Sequence, residues 1–171
     1  ALKGKNCHGN MYINQSINNG ASFCLTDKKI INKKNNNKVF YFKNLIKVIE
    51  KLAIEKRKNF KGEIIGITGS AGKTTLKETL YFYLKKKYKV SKSIKSYNNH
   101  LGVLITILNL NPVSDFAICE IGTNNFGEIE KLTKFILPTQ IFITNIQSTH
   151  LENFKNKKNV AKEKSEIFNP K

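Results

Sequence analysis

The sequence predicts an α/β fold: a mostly parallel sheet, flanked by helices and built around a phosphate-binding loop, preceded by part of a small α/β domain. Three observations predict it. The stretch Gly66-Ile67-Thr68-Gly69-Ser70-Ala71-Gly72-Lys73-Thr74-Thr75 follows the run Glu63-Ile64-Ile65 and precedes a segment of helical spacing, the strand–turn–helix setting of a phosphate loop. From Ile64 onward short apolar runs alternate with amphipathic segments, the pattern of parallel strands joined by helical crossovers. The residues best suited to chemistry fall at 69–75, 120–125 and 145–150, the carboxyl ends of those runs, where open parallel sheets hold their ligands.

Residues 1–60 read as one partial domain and residues 61–171 as a second. In the first, Ala1-Leu2-Lys3-Gly4, His8-Gly9 and Ala21-Ser22-Phe23-Cys24-Leu25 are pieces of a small module. Residues 32–38 form a polar Asn/Lys loop, and Val39-Phe40-Tyr41-Phe42 is a strand. Apolar residues at 45, 46, 48, 49, 52 and 53 predict an amphipathic helix over 45–56. Residues 58–62 read as a linker. In the second domain, 64–68 is a strand and 74–87 a helix with Leu76, Leu80, Tyr83 and Leu84 on one face. A short apolar helix covers 101–110 and a core strand 116–121. A helix over 127–136 stops before Pro138, a third strand covers 140–145, and a last helix covers 156–168.

Composition narrows the function classes. The chain has 171 residues, is 40% hydrophobic and carries a formal charge of +18. Of 30 basic residues only Arg57 is arginine. Nucleic-acid readers lean on arginine forks for base and phosphate contacts, so dispersed lysines read as a solvated surface, and no nucleic-acid partner is expected. The positive field still favours anionic substrates such as nucleotides. No apolar run approaches the roughly 18 residues of a membrane span, and residues 1–5 lack the apolar region of a signal peptide. Cys7, Cys24 and Cys119 are odd in number and form no C-x-x-C, which fits a reducing compartment without a disulfide framework. Cys119 reads as core.

The loop 69–75 carries the chemistry. Its glycines let the backbone curl so that several N–H groups face one concavity, which suits a polyphosphate. Gly69, Ser70, Ala71, Gly72, Lys73, Thr74 and Thr75 are the candidate phosphate contacts, with Lys73 reaching the terminal phosphates and Thr74 ligating Mg²⁺. The strict pattern G-x-x-x-x-G-K-S/T wants glycine where Ile67 stands, and a glycine turn that binds nothing is the alternative. Glu120 ends an apolar strand, where an acid can hold Mg²⁺ or simply face solvent. His150 follows the third strand as an acceptable ligand for a divalent ion, although spacing alone favours a structural histidine. Asn98 and Asn99 open a helix and suit either phosphate contact or capping. Nothing in the residues themselves singles out Lys164.

Taken together these motifs resemble the Mur ligase family, in its dipeptide-adding branch. The resemblance covers nearly the whole chain. Ala1-Leu2-Lys3-Gly4 with His8-Gly9 is similar to a stretch of the family's N-terminal UDP-binding domain. Thr68 to Thr75 matches its T-G-S-x-G-K-T-T loop, including the departure at Ile67. Asn98-Asn99-His100-Leu101-Gly102-Val103 looks like its N-N-x-x-G-V-P element with Leu104 in place of proline. The stretch from Glu120 to Ile129 points to the dipeptide-adding branch, with Asn125 where histidine is common. Asn145-Ile146 with His150-Leu151-Glu152, and Ala161-Lys162-Glu163-Lys164-Ser165-Glu166-Ile167-Phe168, resemble two further motifs.

The resemblance implies a central ATP-binding domain after a UDP-substrate domain, and an ATP-dependent ligase joining D-alanyl-D-alanine to UDP-N-acetylmuramoyl-tripeptide through an acyl phosphate. ATP and Mg²⁺ are the implied cofactors. Lys73, His150 and Lys164 are the implied catalytic residues. Thr74, Glu120, His150 and a carbamylated Lys164 are the implied metal ligands, with Asn98 and Asn99 near the nucleotide. It also implies a cytoplasmic enzyme, monomeric at full length, of which this chain is an incomplete and by itself inactive piece lacking the C-terminal domain. Three alternatives compete: a sister ligase with another amino donor, an unrelated phosphate-loop NTPase, and a nucleic-acid binder driven by charge.

Overall fold

A computed structural model describes residues 1–4, 6–29 and 37–169. Most of the expected polar loop at 32–38, together with Lys5, Pro170 and Lys171, lies outside the described residues. The chain divides into two compact units, Ala1–Lys51 and Leu52–Lys171.

In the first unit a 3₁₀ turn, Gly9–Tyr12, leads into α1 (Ile13–Asn18). Strands β1 (Cys24–Thr26) and β2 (Val39–Tyr41) pair in parallel, Cys24 against Val39. The His8-Gly9 motif makes a tight turn: Lys3 bridges His8, Gly9 donates to Leu2 O at 2.9 Å, and a Cβ on Gly9 would sit 3.0 Å from Ala1 Cα. Thr26 is buried beneath this turn and donates its hydroxyl to Asn10 Oδ1 at 2.6 Å.

Helix α2 (Leu45–Asn59) is continuous, and the division between the two compact units falls inside it. The expected linker at 58–62 is not loose. Phe60 is buried, and a Cβ on Gly62 would meet Ser114 O at 2.3 Å. Arg57 donates to Ile136 O at 2.5 Å and Leu137 O at 2.7 Å, supplying a donor to the last carbonyls of the helix Glu128–Ile136. The one arginine of the chain is therefore a helix cap.

The second unit is a four-stranded parallel sheet in the order β4–β5–β3–β6, made from β3 (Glu63–Thr68), β4 (Val90–Lys92), β5 (Phe116–Glu120) and β6 (Gln140–Ile143). The intervening helices are α3 (Lys73–Leu84), α4 (His100–Leu108) and α5 (Glu128–Ile136), followed by α6 (Leu151–Phe154) and α7 (Lys157–Ser165). Strand alternation sends Ile65 and Ile67 to the α3 face, where Leu76, Leu80, Tyr81 and Leu84 pack on them with Ile118. Gly66 faces the other way, beneath Pro138 and Ile167.

Two expectations change here. Tyr83 is 63% exposed, and Tyr81 takes its place on the buried face of α3. The buried arc of α3 is turned toward Lys77, which is itself 0% exposed. Strand β4 was not expected. Val90-Ser91-Lys92 has no apolar pattern, and Tyr88 packing edge-on against Phe116 and pairing with β5 set its place. Cys119 is buried as expected, and burial pushes its thiol up to about 12.

Candidate active site

The crossover from β3 to β4 leaves one side of β3 and the connection from β5 to β6 leaves for the other, so the carboxyl ends of the two central strands open a crevice. The loop between β3 and α3 lies there. Gly69 has φ +147° and Gly72 has φ +78°, backbone conformations that favour glycine. A Cβ on Gly69 would also sit 1.9 Å from Thr144 Oγ1.

That closeness reflects a clamp. Thr144 donates to Ala71 O at 2.6 Å, Asn145 O accepts from Ser70 N at 3.0 Å, and Asn145 Oδ1 accepts from Ala71 N at 3.0 Å. Ser70 Oγ accepts from Gln147 N at 2.9 Å. The segment after β6 thus occupies the Ser70 and Ala71 amides, so the N–H groups left to face a ligand begin with the first turn of α3, which has no intrahelical partners. Thr144 and Asn145 hold the loop in shape; the sequence marks Asn145 among the candidate positions and reads Thr144 only as strand. The Lys73 ammonium folds back onto Gly69 O at 2.7 Å. Burial holds it below the ordinary lysine value, against the attraction of Glu120.

A cavity of about 430 Å³ opens on this loop. Of the expected site residues it brings together Gly69, Ser70, Lys73, Asn98, Asn99, His150 and Lys164. Asn99 caps α4, its Oδ1 accepting from Gly102 N at 2.9 Å, and Asn98 O accepts from Gly122 N at 2.8 Å. His150 adopts a left-handed backbone (φ 52°), and its Nδ1 lies 3.6 Å from Glu152 Oε1. Lys164 is 3% exposed. Burial first, and the neighbouring Lys73 charge second, lower its ammonium to about 8, with Glu163 opposing.

Thr74 and Glu120 form a second cluster that does not line the cavity. Thr74 Oγ1 donates to Glu120 Oε2 at 3.1 Å. The Glu120 carboxylate is buried, and its Oε1 lies 2.8 Å from Lys77 Nζ without a well-aligned hydrogen bond. The Thr74 hydroxyl beside Glu120 Oε2, a carboxylate oxygen with a second lone pair to offer, is a hard-oxygen donor set that fits Mg²⁺. Among the described residues no three His, Cys, Asp or Glu side chains gather into a metal group, so any further anionic ligand must come from elsewhere, such as a modified Lys164 or phosphate oxygens.

The far wall is held by two acids that were not expected to take part. Glu128 Oε2 accepts from Asn124 N at 2.7 Å and Asn125 N at 3.2 Å. Burial pushes its carboxyl up, but these bonds outweigh it and hold it below the ordinary value. Glu163, 0% exposed on α7, accepts from Gly127 N at 2.8 Å, Ile129 N at 3.0 Å and Thr123 Oγ1 at 2.9 Å. It thereby fixes α7, and with it Lys164, against the start of α5. A lone Glu among lysines on a polar helix gave no signal of this.

Comparison with known proteins gives the family. Residues 67–171 match the Mur ligase middle domain. The chain is 38% identical over 169 residues to the UDP-N-acetylmuramoyl-tripeptide–D-alanyl-D-alanine ligase of Rickettsia prowazekii, covering 98% of this chain and 37% of that protein. It is 30% identical over 168 residues to the ligase of the same name from Bacillus subtilis, again covering 37% of it. A crystal structure of MurF from Acinetobacter baumannii superimposes with a TM-score of 0.83 at 29% identity, over 98% of this chain and 37% of that one. MurF ligase from Thermotoga maritima in complex with ADP superimposes with a TM-score of 0.80 at 34% identity, over 98% and 38%. The chain spans a little over a third of the length of these relatives. With its phosphate loop, parallel sheet and middle-domain match in agreement, the chain belongs to the Mur ligase family.

Proposed function

We propose that this chain carries the nucleotide-binding and carboxylate-activating part of an ATP-dependent ligase that joins D-alanyl-D-alanine to UDP-N-acetylmuramoyl-tripeptide in peptidoglycan precursor synthesis. The observation that carries the reading is that one cavity joins the phosphate loop, through Gly69, Ser70 and Lys73, to Lys164 and His150. The names of the relatives support the choice of substrates, and the ADP complex of one supports the nucleotide.

ATP would supply the phosphoryl group that turns the tripeptide's terminal carboxylate into an acyl phosphate, leaving ADP, with Mg²⁺ offsetting the charge; the amine of D-alanyl-D-alanine would then displace phosphate. The chain's own residues set the geometry. Gly72 aims the first turn of α3 at the phosphates, and Lys73, released from Gly69 O, offsets their charge. Thr74 and Glu120 would hold Mg²⁺ between the loop and β5. Lys164, lowered to about 8, has an accessible neutral amine that can take up CO₂; the resulting carbamate would add an anionic oxygen ligand, with His150 beside it. Asn98 and Asn99 line the approach. The His8-Gly9 turn of the first unit is assigned to the UDP-linked substrate. The enzyme is proposed to be a cytoplasmic monomer; among the described residues no helix is long and apolar enough to cross a membrane.

The test is phosphate release by a protein carrying this chain and the further length of its relatives. ATP, Mg²⁺ and UDP-N-acetylmuramoyl-tripeptide are supplied with and without D-alanyl-D-alanine. Release that requires the dipeptide and disappears in Lys73→Ala is expected. Release that responds to a different amine moves the chain to a sister ligase.

A further inference from the structure

Lys77 belongs to none of the expected site residues, yet it is the largest fully buried polar side chain in the molecule's described part. Its position follows from helical spacing: it lies four residues after Lys73 and three after Thr74, on the same side of α3. Burying an ammonium is costly unless every contact is polar. Here it donates to Ser93 O at 3.2 Å and to Lys95 O, pairs with Glu120 Oε1 at 2.8 Å, and lies 3.4 Å from the half-exposed Glu78. Lys95 takes a left-handed backbone (φ 48°) at this carbonyl. Four positions from α3, the β4 end and β5 therefore converge on one cation.

We propose that Lys77 is the positioning residue for Glu120. It holds Oε1 from behind, so that Oε2 is the oxygen turned to the Thr74 hydroxyl and to the metal position between them. It also neutralises the carboxylate, so that Mg²⁺ is held firmly only together with the nucleotide's phosphates. The outer partners of a ligating carboxylate fix its orientation and tune the metal, and losing one commonly costs tenfold or more in metal affinity. This inference rests on the nucleotide reading given above.

The test is calorimetric titration with ADP, in Mg²⁺ and in EDTA, of a protein carrying this chain and the further length of its relatives, as wild type, Lys77→Met and Lys77→Arg. Mg²⁺ is expected to tighten ADP binding in the wild type. Lys77→Met should lose about tenfold of that gain while binding in EDTA stays unchanged. Lys77→Arg keeps the charge but not the point contact, and should lose less. A Mg²⁺ gain preserved in the folded variants overturns the inference. Equal losses in Mg²⁺ and EDTA do so too, because they mark a purely structural lysine. If Lys77→Met does not fold, Lys77→Arg decides by the same criterion. A wild type that binds no ADP overturns the nucleotide reading itself and this inference with it.

Discussion

Two helices of the sheet unit begin in the same way and end up with opposite tasks. Helix α3 starts after Gly72 (φ 78°, ψ 0°) and α5 after Gly127 (φ 79°, ψ 0°), and neither has a side-chain cap of its own. Both therefore present unpaired N–H groups and the positive end of a helix dipole. At α5 the charge is answered from inside: Glu163 accepts from Gly127 N and Ile129 N. At α3 no carboxylate among the described residues does this, and Lys73 stands over the loop instead. A glycine turn before a helix is thus an anion site only where the fold leaves it unplugged. The protein carries its own anion at one such turn and leaves the other for a phosphate.

The largest way to break this comparison is to remove the plug. Glu163→Ala leaves the Gly127 and Ile129 amides unpaired, at about 1–3 kcal/mol each when fully unsatisfied, while the Thr123 hydroxyl keeps Asn125 O as acceptor. A net loss of about 2–5 kcal/mol in urea unfolding is expected. A loss below about 1 kcal/mol would mean that water replaces the carboxylate and that the two turns are equivalent.

Lys164, carried next to that plug, gives the next effect. Its folded value of about 8 lies below the ordinary 10.5, so between those two pH values the unfolded chain holds more protons and stability rises with pH. In CO₂-free buffer Lys164 should contribute on the order of 1–3 kcal/mol of that rise, and Lys164→Met should remove this part and leave the part due to Lys73. An identical pH profile in both proteins would refute the buried, charge-crowded lysine.

The smallest effect sharpens the comparison most. Gly72→Ala and Gly127→Ala meet no close atoms, so each should lose only about 1–2 kcal/mol of stability from the left-handed backbone. Calorimetry should then show weaker ADP binding for Gly72→Ala alone. Equal losses of binding at both would mean that the α5 turn also takes part.

Much of this was legible in the sequence because the signals are local. The loop 69–75, the apolar strands β3 and β5, and the amphipathic α2 and α5 each follow from the period of apolar residues and from glycine punctuation within a few positions. Cys119 in the core and the dispersed, solvated lysines were equally local readings. The elements that were missed or shifted are those whose pattern is weak alone. Strand β4 is three residues held by β5, and the buried arc of α3 turns toward Tyr81 because Lys77 is drawn to Glu120.

The sequence by itself determined the fold class, the phosphate loop and the family motifs, because these depend on residue type at fixed short spacing. Only the tertiary structure decided which polar groups meet. Thr144 and Asn145 clamp a loop some 73 to 75 positions earlier in the chain, Glu163 caps a helix that begins at residue 128, and Arg57 caps the far end of that same helix. The reason is physical. A carboxylate or ammonium costs free energy to bury wherever it lies, and what offsets that cost is a partner brought by the topology from a distant segment, which no window of sequence contains.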